Sequence, residues 1–215
     1  MTDAPAPPSD PTARTWALVA VVLAVLIGAA VAAFTIAGGR SDDVATGITD
    51  LPSPTVSGEA LSPFAGNGEP DPSIGRTMPL ATGVDVTGAP MELAPTGDVQ
   101  AIVFLAHWCP HCQREVPAVQ SWLDQGGLPE GTSVSAVATA YDSSRDNWPP
   151  DLWLVEEGFT PPTLSDGANN VAEAYGLTSF PYWVFVDGDG VVLGRVAGQL
   201  ETEVLENVLS SFAAG

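Results

Sequence analysis

The stretch AIVFLAHWCPHC, residues 101–112, is the most informative part of the sequence. Its first six residues form a continuous apolar run of strand length, which is typical of a central strand covered on both faces. Two cysteines three positions apart come next, and apolar residues then recur from Val116 to Leu123 with the spacing of one helix face. The stretch therefore predicts a buried strand, a Cys-x-x-Cys segment and a helix over 109–125, in that order.

The patterns around this stretch alternate between strand and helix. The predicted elements are hairpins over 83–93 and 182–196, a buried strand over 133–139, and helices over 151–157, 169–175 and 201–212. This order predicts an α/β fold over residues 76–215, with a mixed sheet flanked by helices and an antiparallel end.

The first 75 residues contain one membrane-length apolar run between two polar segments. Residues 16–37 are almost wholly apolar, and about 22 helical residues cover the ~30 Å hydrocarbon layer, so this run predicts a transmembrane helix. Residues 1–15 are predicted to be a disordered tail, and residues 38–75 a flexible linker. A cleaved signal peptide is the alternative, because Ala30-Val31-Ala32 fits a small-residue cleavage site.

The orientation of this segment does not follow from its charges, because Arg14 and Arg40 flank it on both sides. An N-terminal anchor commonly exports the domain that comes after it. The expected location is therefore the cell membrane, single-pass, with the catalytic domain on the extracytoplasmic side.

The chain is strongly acidic, with 26 Asp and Glu residues against six arginines and no lysine, and a formal net charge of −20. This charge excludes nucleic acid as a partner, because binding a polyphosphate requires a basic face. It keeps the protein soluble through mutual repulsion, or it steers basic partner proteins toward it. Both interpretations stay open at this point.

Cys109 and Cys112 are the only cysteines, which excludes a scaffold held by several disulfides. They form a redox pair, part of a metal site or a static local bridge. Structural zinc needs four ligands, and no second pair exists, whereas copper handling with His107 or His111 stays an alternative. At the start of a helix, the macrodipole favours the thiolate of Cys109, and the His111 ring can donate to that sulfur.

Three motifs together resemble the extracytoplasmic thioredoxin-like family related to TlpA and ResA. They are CPHCQREVP at 109–117, YGLTSFP at 175–181 and DGDG at 187–190, and the resemblance covers residues 78–212. The resemblance implies a thioredoxin fold in which Cys109 is the attacking thiol, Cys112 the resolving thiol and Pro181 a cis-proline. It also implies that Glu115 is an acid beneath the active site that exchanges protons with Cys112; a charge on the helix surface is the alternative.

Two features differ from the usual pattern of that family. Phe180 stands before the cis-proline, where relatives carry a small or β-branched residue, and the Pro110-His111 dipeptide resembles that of periplasmic disulfide-forming oxidases. The candidates for redox tuning are Pro110, His111 and Glu115, and those for a partner groove are Trp108, Phe180 and Pro181.

The expected function is protein thiol-disulfide exchange, with no organic cofactor and no metal. The expected partners are exported protein thiols or disulfides, a membrane or extracytoplasmic redox partner, and the membrane itself through the N-terminal helix. An oxidase would introduce disulfides into exported proteins, whereas a reductase would maintain thiols, for instance in cytochrome c maturation. A copper-handling or metal-delivery module of thioredoxin-like fold is the alternative function.

Overall fold

The computed structural model describes residues 51–215. The predicted tail (1–15), the predicted transmembrane helix (16–37) and the first part of the predicted linker lie outside the described residues. Within 51–215, no helix has both the length and the apolar character needed to cross a membrane.

Between residues 51 and 215 the chain forms eight strands and four helices. In chain order they are β1 (Thr55–Ser57), β2 (Leu80–Val84), β3 (Pro90–Leu93), β4 (Val99–Leu105), α1 (Cys112–Asp124), β5 (Thr132–Thr139), α2 (Pro150–Glu156), β6 (Thr163–Asp166), α3 (Asn170–Ala174), β7 (Tyr182–Val186), β8 (Val192–Ala197) and α4 (Thr202–Ala213).

Five of the strands form a mixed sheet in the order β6-β5-β4-β7-β8. Strands β4, β5 and β6 run parallel to one another, whereas β7 is antiparallel to both β4 and β8. The tight turn between β7 and β8 is closed by the Asp187 carboxylate, which accepts the N–H groups of Asp189 and Val191. The mixed sheet with its antiparallel end confirms the predicted α/β fold class and the predicted hairpin at 182–196.

The central strand β4 is buried along its whole length, as its continuous apolar run predicts. Successive side chains of a strand point to opposite faces of the sheet. Val103 and Leu105 therefore pack with α1, α2 and α4 on one face, and Ile102 and Phe104 pack with α3 and the smaller sheet on the other. Strand β4 is thus held between two cores, and both cysteines of the β4–α1 junction belong to the core that contains Val103 and Leu105.

A smaller antiparallel sheet, β1-β2-β3, lies before the central strand. Its β2–β3 hairpin confirms the predicted hairpin at 83–93. Its first strand corrects the predicted linker, because β1 pairs with β2 and Leu61 and Ser73 are both buried. The polar composition of residues 51–75 suggested a free segment, but a few well-spaced apolar side chains suffice to dock it, so the folded domain begins before residue 76.

A buried ion pair joins this N-terminal segment to β8. The Arg195 guanidinium binds the Asp71 carboxylate through two N–H groups and also donates to the backbone carbonyl of Ser62 and the hydroxyl of Tyr182. Both paired side chains are almost fully removed from solvent. The Arg195 hydrogen bond is the largest cause lowering the pKa of Asp71, so this carboxylate is charged at neutral pH.

The helices lie where the periodic patterns predict them, with small differences at the ends. The largest difference is at α1, which begins at Cys112 and not at Cys109. The N–H of Gln113 bonds to the carbonyl of Cys109, four residues back, but the N–H of Arg114 bonds to the carbonyl of His111, three residues back, so the four-residue pattern is interrupted within the first turn and resumes with Glu115. The short strand β6 escaped prediction because its sequence, Thr-Leu-Ser-Asp, lacks an apolar pattern.

Candidate functional site

The two cysteines lie in the turn between β4 and α1. The N–H of Cys109 donates to the carbonyl of Ala106 at 3.0 Å, and the carbonyl of Cys109 accepts the N–H of Gln113 at 3.0 Å. Cys109 therefore precedes the helix, and Cys112 is its first residue. This arrangement follows directly from the buried strand that ends at Leu105.

Both cysteines are free thiols, and they differ in their environment. Cys109 keeps 7% of its surface exposed, whereas Cys112 is fully buried. The Cys112 sulfur accepts the N–H of Ala106 at 3.5 Å. Burial raises the pKa of the Cys112 thiol far above its ordinary value, and the neighbouring Cys109 raises it further. Cys112 is thus a protonated, inaccessible partner of the more exposed Cys109.

The loop before β7 contacts Cys109. The Phe180–Pro181 peptide bond is cis, as the resemblance implies, and the carbonyl oxygen of Phe180 lies 3.9 Å from the Cys109 sulfur. The Phe180 ring meets the Trp108 ring edge to face, with centroids 5.9 Å apart. The structure therefore brings Trp108, Phe180 and Pro181 together around Cys109, and their use as a partner groove stays a prediction.

Glu115 lies on the buried side of α1, one turn after Cys112. Its side chain is 1% exposed, so a charge on the helix surface is the wrong interpretation. The carboxylate accepts the indole N–H of Trp183 at 2.8 Å and the backbone N–H of Leu200 at 3.1 Å. Burial outweighs these bonds and raises the pKa of Glu115 to about 7, and the charge of Glu115 in turn raises the pKa of Cys112.

His111 projects to the surface between the two cysteines. Its Nδ1 faces Nη2 of Arg114 at 2.8 Å, so the guanidinium donates to the ring. Among the hydrogen bonds formed within residues 51–215, none joins His111 to Cys109. A role of Pro110 and His111 in redox tuning stays a prediction. Because His111 is bonded to Arg114, any effect of His111 on the Cys109 sulfur would act together with the charge of Arg114.

His107 is buried and holds a surface loop. Its Nδ1 lies 2.7 Å from the carbonyl oxygen of Asp146, and its Nε2 accepts the N–H of Asp142 at 3.2 Å. These bonds define a neutral ring with its proton on Nδ1, and burial lowers the pKa of His107 accordingly. A share of His107 in a copper site with the cysteines would require the hydrogen bond at the ligating nitrogen to break.

Residues 140–149 form the loop that His107 holds against the active site, and sequence reasoning missed it. The indole N–H of Trp108 donates to the carbonyl of Ala140 at 2.7 Å, and the Arg145 guanidinium lies 4.7 Å above the Trp108 ring. An isolated arginine in a polar loop carries no periodic signal. Its position over Trp108 follows from the folded loop alone.

A dithiol between a central strand and a helix, with one thiol accessible and a cis-proline beside it, is the site of a thiol-disulfide oxidoreductase. The fold and the site together define this class. Within residues 51–215, no group of three or more His, Cys, Asp and Glu side chains is arranged to hold a metal ion.

Residues 73–209 match the model of the Redoxin family, and the chain belongs to that family. It is also 28% identical over 159 residues to the thiol:disulfide interchange protein HelX of Rhodobacter capsulatus, an alignment that covers 71% of this chain and 80% of HelX.

Solved structures share the fold at low sequence identity. The crystal structure of StoA from Bacillus subtilis has a TM-score of 0.52 and 18% identity, and the match covers 63% of this chain and 98% of StoA. A thiol:disulfide interchange protein of the thioredoxin family from Chlorobium tepidum has a TM-score of 0.53 and 22% identity, covering 65% of this chain and 96% of that chain. The domain therefore has a thioredoxin-like fold.

Proposed function

We propose that the protein exchanges disulfides with other proteins, with Cys109 as the attacking thiol and Cys112 as the resolving thiol. The observation that carries the proposal is the contrast in burial, because Cys109 is 7% exposed and Cys112 is 0% exposed. Both thiols are buried, but Cys109 alone keeps part of its surface exposed, so a foreign sulfur would reach Cys109 before Cys112. The 28% identical relative HelX is a thiol:disulfide interchange protein, which supports the exchange activity.

The exchange proceeds in two steps that conserve atoms and electrons. When the protein acts as reductant, the Cys109 thiolate attacks a partner disulfide, a mixed disulfide forms, and the other partner sulfur leaves as a thiolate. Cys112 then loses its proton and attacks Cys109, which closes the Cys109–Cys112 disulfide and releases the partner as a dithiol. Two electrons pass to the partner, and an oxidase runs the same steps in reverse.

We assign the proton of the resolving step to Glu115. The raised pKa of Cys112 means that this thiol must be deprotonated by a base before it attacks. A buried carboxyl whose pKa is raised to about 7 is poised to accept and return a proton near neutral pH. Its position one helical turn from Cys112 supports this role and agrees with the buried acid of TlpA- and ResA-related proteins.

We further propose that the protein belongs to the TlpA- and ResA-related branch and is anchored in the cell membrane by residues 16–37, with the catalytic domain outside. The CPHC motif, the buried Glu115 and the cis-Pro181 support the first part. The membrane-length apolar run supports the second.

Equilibration of the full chain with glutathione assigns the direction of electron flow. A reduction potential of about −120 mV makes the protein an oxidase, whereas one at or below about −270 mV makes it a reductase.

A trapping experiment tests the exchange itself. In the Cys112→Ser protein the resolving step is blocked, so partner proteins should accumulate as mixed disulfides on Cys109 and appear on non-reducing gels. The matched Cys109→Ser protein retains a thiol but should trap nothing, because Cys112 is buried. A well-expressed Cys112→Ser protein without adducts, or equal trapping by both variants, would contradict the proposed roles.

A further inference from the structure

The arginines of the folded domain divide into two kinds. Residues 51–215 contain four of them, and Arg76 and Arg195 are each paired with a carboxylate. In this part of the chain, Arg114 and Arg145 form no salt bridge to a carboxylate within 4.0 Å. Both are exposed. On a chain with a net charge of −20, two arginines without a carboxylate partner need a physical explanation.

Arg114 lies beside the active site on α1. Its Nη2 donates to His111 between the cysteines at 2.8 Å, and its Nε lies 3.4 Å from the side-chain oxygen of Gln199. Gly198, the neighbour of Gln199, donates its N–H to the carbonyl of Pro181 at 2.7 Å. Both side-chain acceptors of Arg114 are neutral, so its charge stays uncompensated next to the cis-proline loop.

Arg145 reaches the same site from the loop at 140–149. Its guanidinium lies over the Trp108 ring, and that ring packs against Phe180, whose carbonyl contacts Cys109. Stacking on an aromatic face holds a guanidinium in place and leaves its N–H groups free to donate at the edges. Among the hydrogen bonds within residues 51–215, none uses a side-chain N–H of Arg145.

An acid on the same loop does not neutralise Arg145 directly. The Asp142 carboxylate accepts the N–H of Ser144 at 3.0 Å and its hydroxyl at 2.7 Å. These hydrogen bonds are the largest causes lowering the pKa of Asp142, and the charge of Arg145 contributes less. The carboxylate is thus oriented by its own turn, and the guanidinium donors of Arg145 stay available.

We propose that Trp108, Phe180, Arg114 and Arg145 form a docking surface for a partner segment that carries acidic residues next to its reactive cysteine. The inference rests on the proposed exchange function and specifies its substrate class. The two arginines come from different elements: Arg114 bonds to the ring of His111 between the cysteines, and Arg145 lies over the ring of Trp108 beside Cys109 in sequence. Carboxylates that flank a partner sulfur would therefore find charged N–H donors there. Bidentate donation and the aromatic floor together suit an extended acidic peptide.

The net charge of the protein does not oppose this local attraction at physiological salt. The Debye length is about 8 Å at roughly 0.15 M ionic strength, so remote acidic side chains are largely screened while groups in contact are not. The proposal therefore concerns residues adjacent to the partner cysteine and not the total charge of the partner. The surface would recognise acidic partner residues by direct contact at the active site, in place of long-range steering of basic partner proteins.

Matched peptide substrates test the proposal. The full chain, reduced and held in a non-ionic detergent, reacts with three disulfide peptides that differ only in the residues flanking the half-cystine: Glu, Gln or Lys. At roughly 0.15 M salt we expect the Glu peptide to react about tenfold faster than the Lys peptide, with the Gln peptide between them. At about 1 M salt, where the Debye length is about 3 Å, the three rates should converge.

Substitutions locate the effect. Arg114→Gln and Arg145→Gln should each reduce the preference for the Glu peptide, and the double variant should remove it, whereas Arg114→Lys and Arg145→Lys should retain part of it. Arg76→Gln is the matched control, because Arg76 is paired with Glu59. A neutral small disulfide, 2-hydroxyethyl disulfide, measures the intrinsic reactivity of Cys109 in every variant.

The outcomes separate this proposal from the exchange function. Equal rates for the three peptides, or a faster Lys peptide, would overturn the docking surface and leave the exchange function intact. If the double variant slows the neutral disulfide as much as the Glu peptide, the arginines act on the Cys109 sulfur and the docking proposal fails. If the protein reacts with neither the peptides nor the neutral disulfide, the exchange function itself fails.

Discussion

Cys112 and Glu115 lie one helical turn apart on the same buried side of α1, and the charge of Glu115 raises the pKa of the Cys112 thiol. Burial acts in the same direction on both groups, because it disfavours the charged form of a thiol and of a carboxyl alike. The buried environment therefore favours the protonated form of each group. At neutral pH this pair keeps a proton inside the domain, next to the Cys112 sulfur, which has to lose its own proton during exchange.

Glu115 should make the stability of the domain depend on pH. Its pKa is raised from an ordinary 4.5 to about 7, so between these values the unfolded chain ionises while the folded chain holds its proton. The free energy of unfolding should therefore fall as pH rises from 4.5 to about 7, by about 3 kcal/mol in total from this group. Glu115→Gln should remove that slope, as measured by urea unfolding of the reduced protein at a series of pH values. A Gln variant with the same slope as the original protein would contradict the buried titration.

Residues 61–64 are hydrogen-bonded to the end of α3 and to the turn after it, and the two backbones pack closely there. The N–H groups of Leu61 and Phe64 donate to the carbonyls of Ala174 and Gly176. Gly176 has a φ of 70°, and a Cβ at this position would overlap the carbonyl group of Ser62. The backbone of the 61–64 segment therefore leaves no room for a side chain at position 176.

Gly176→Ala should destabilise the domain by more than about 2 kcal/mol, because left-handed strain and a backbone clash add together. Gly126→Ala is the matched control: Gly126 has a φ of 74°, but a Cβ added there would meet no atom within 4 Å, so only the strain of about 1 kcal/mol applies. Chemical denaturation of the two variants measures the difference. Equal losses of stability in the two variants would contradict the clash, because they would mean that the N-terminal segment moves away from a Cβ at position 176 without a cost in free energy.

Residues 51–75, which the sequence predicts to be a flexible linker, contribute to the core of the folded domain. The 51–75 segment supplies β1, the buried Leu61 and the Asp71 partner of the buried Arg195. Removing one member of a buried ion pair costs about 3–5 kcal/mol, which is comparable to the total stability of many domains. We therefore expect the central sheet and the active site to depend on this segment, although it lies far from the cysteines in sequence.

A fragment of residues 76–215 should lose cooperative unfolding, or unfold at a much lower denaturant concentration, whereas a fragment of 51–215 should unfold in one transition. Circular dichroism during urea titration measures both. Introducing Arg195→Met into the shorter fragment should recover part of the loss, because it removes the unpaired buried charge. Equal stability of the two fragments would show that the segment only rests on the domain surface.

Local patterns were sufficient for the elements that carry the strongest signals. The apolar run of β4, the spacing of α1 and the turn residues between β7 and β8 each express a property of neighbouring residues, so they could be read from the chain. The two cysteines were found in the same way, through their place beside these elements, whereas the cis form of Pro181 was expected only from the family resemblance.

Contacts between distant segments had no such signal. The docking of residues 51–75 and the stacking of Arg145 on Trp108 depend on partners far apart in the chain, and the Asp71–Arg195 pair spans 124 positions. The burial of Glu115 was expected only from the family resemblance. A side chain's burial, its proton affinity and its usable charge are set by the groups that the fold places around it. For this reason the chemistry of the two cysteines could be predicted from the sequence. The groups that surround them, which would tune their reactivity and bind a partner, are set by the tertiary structure.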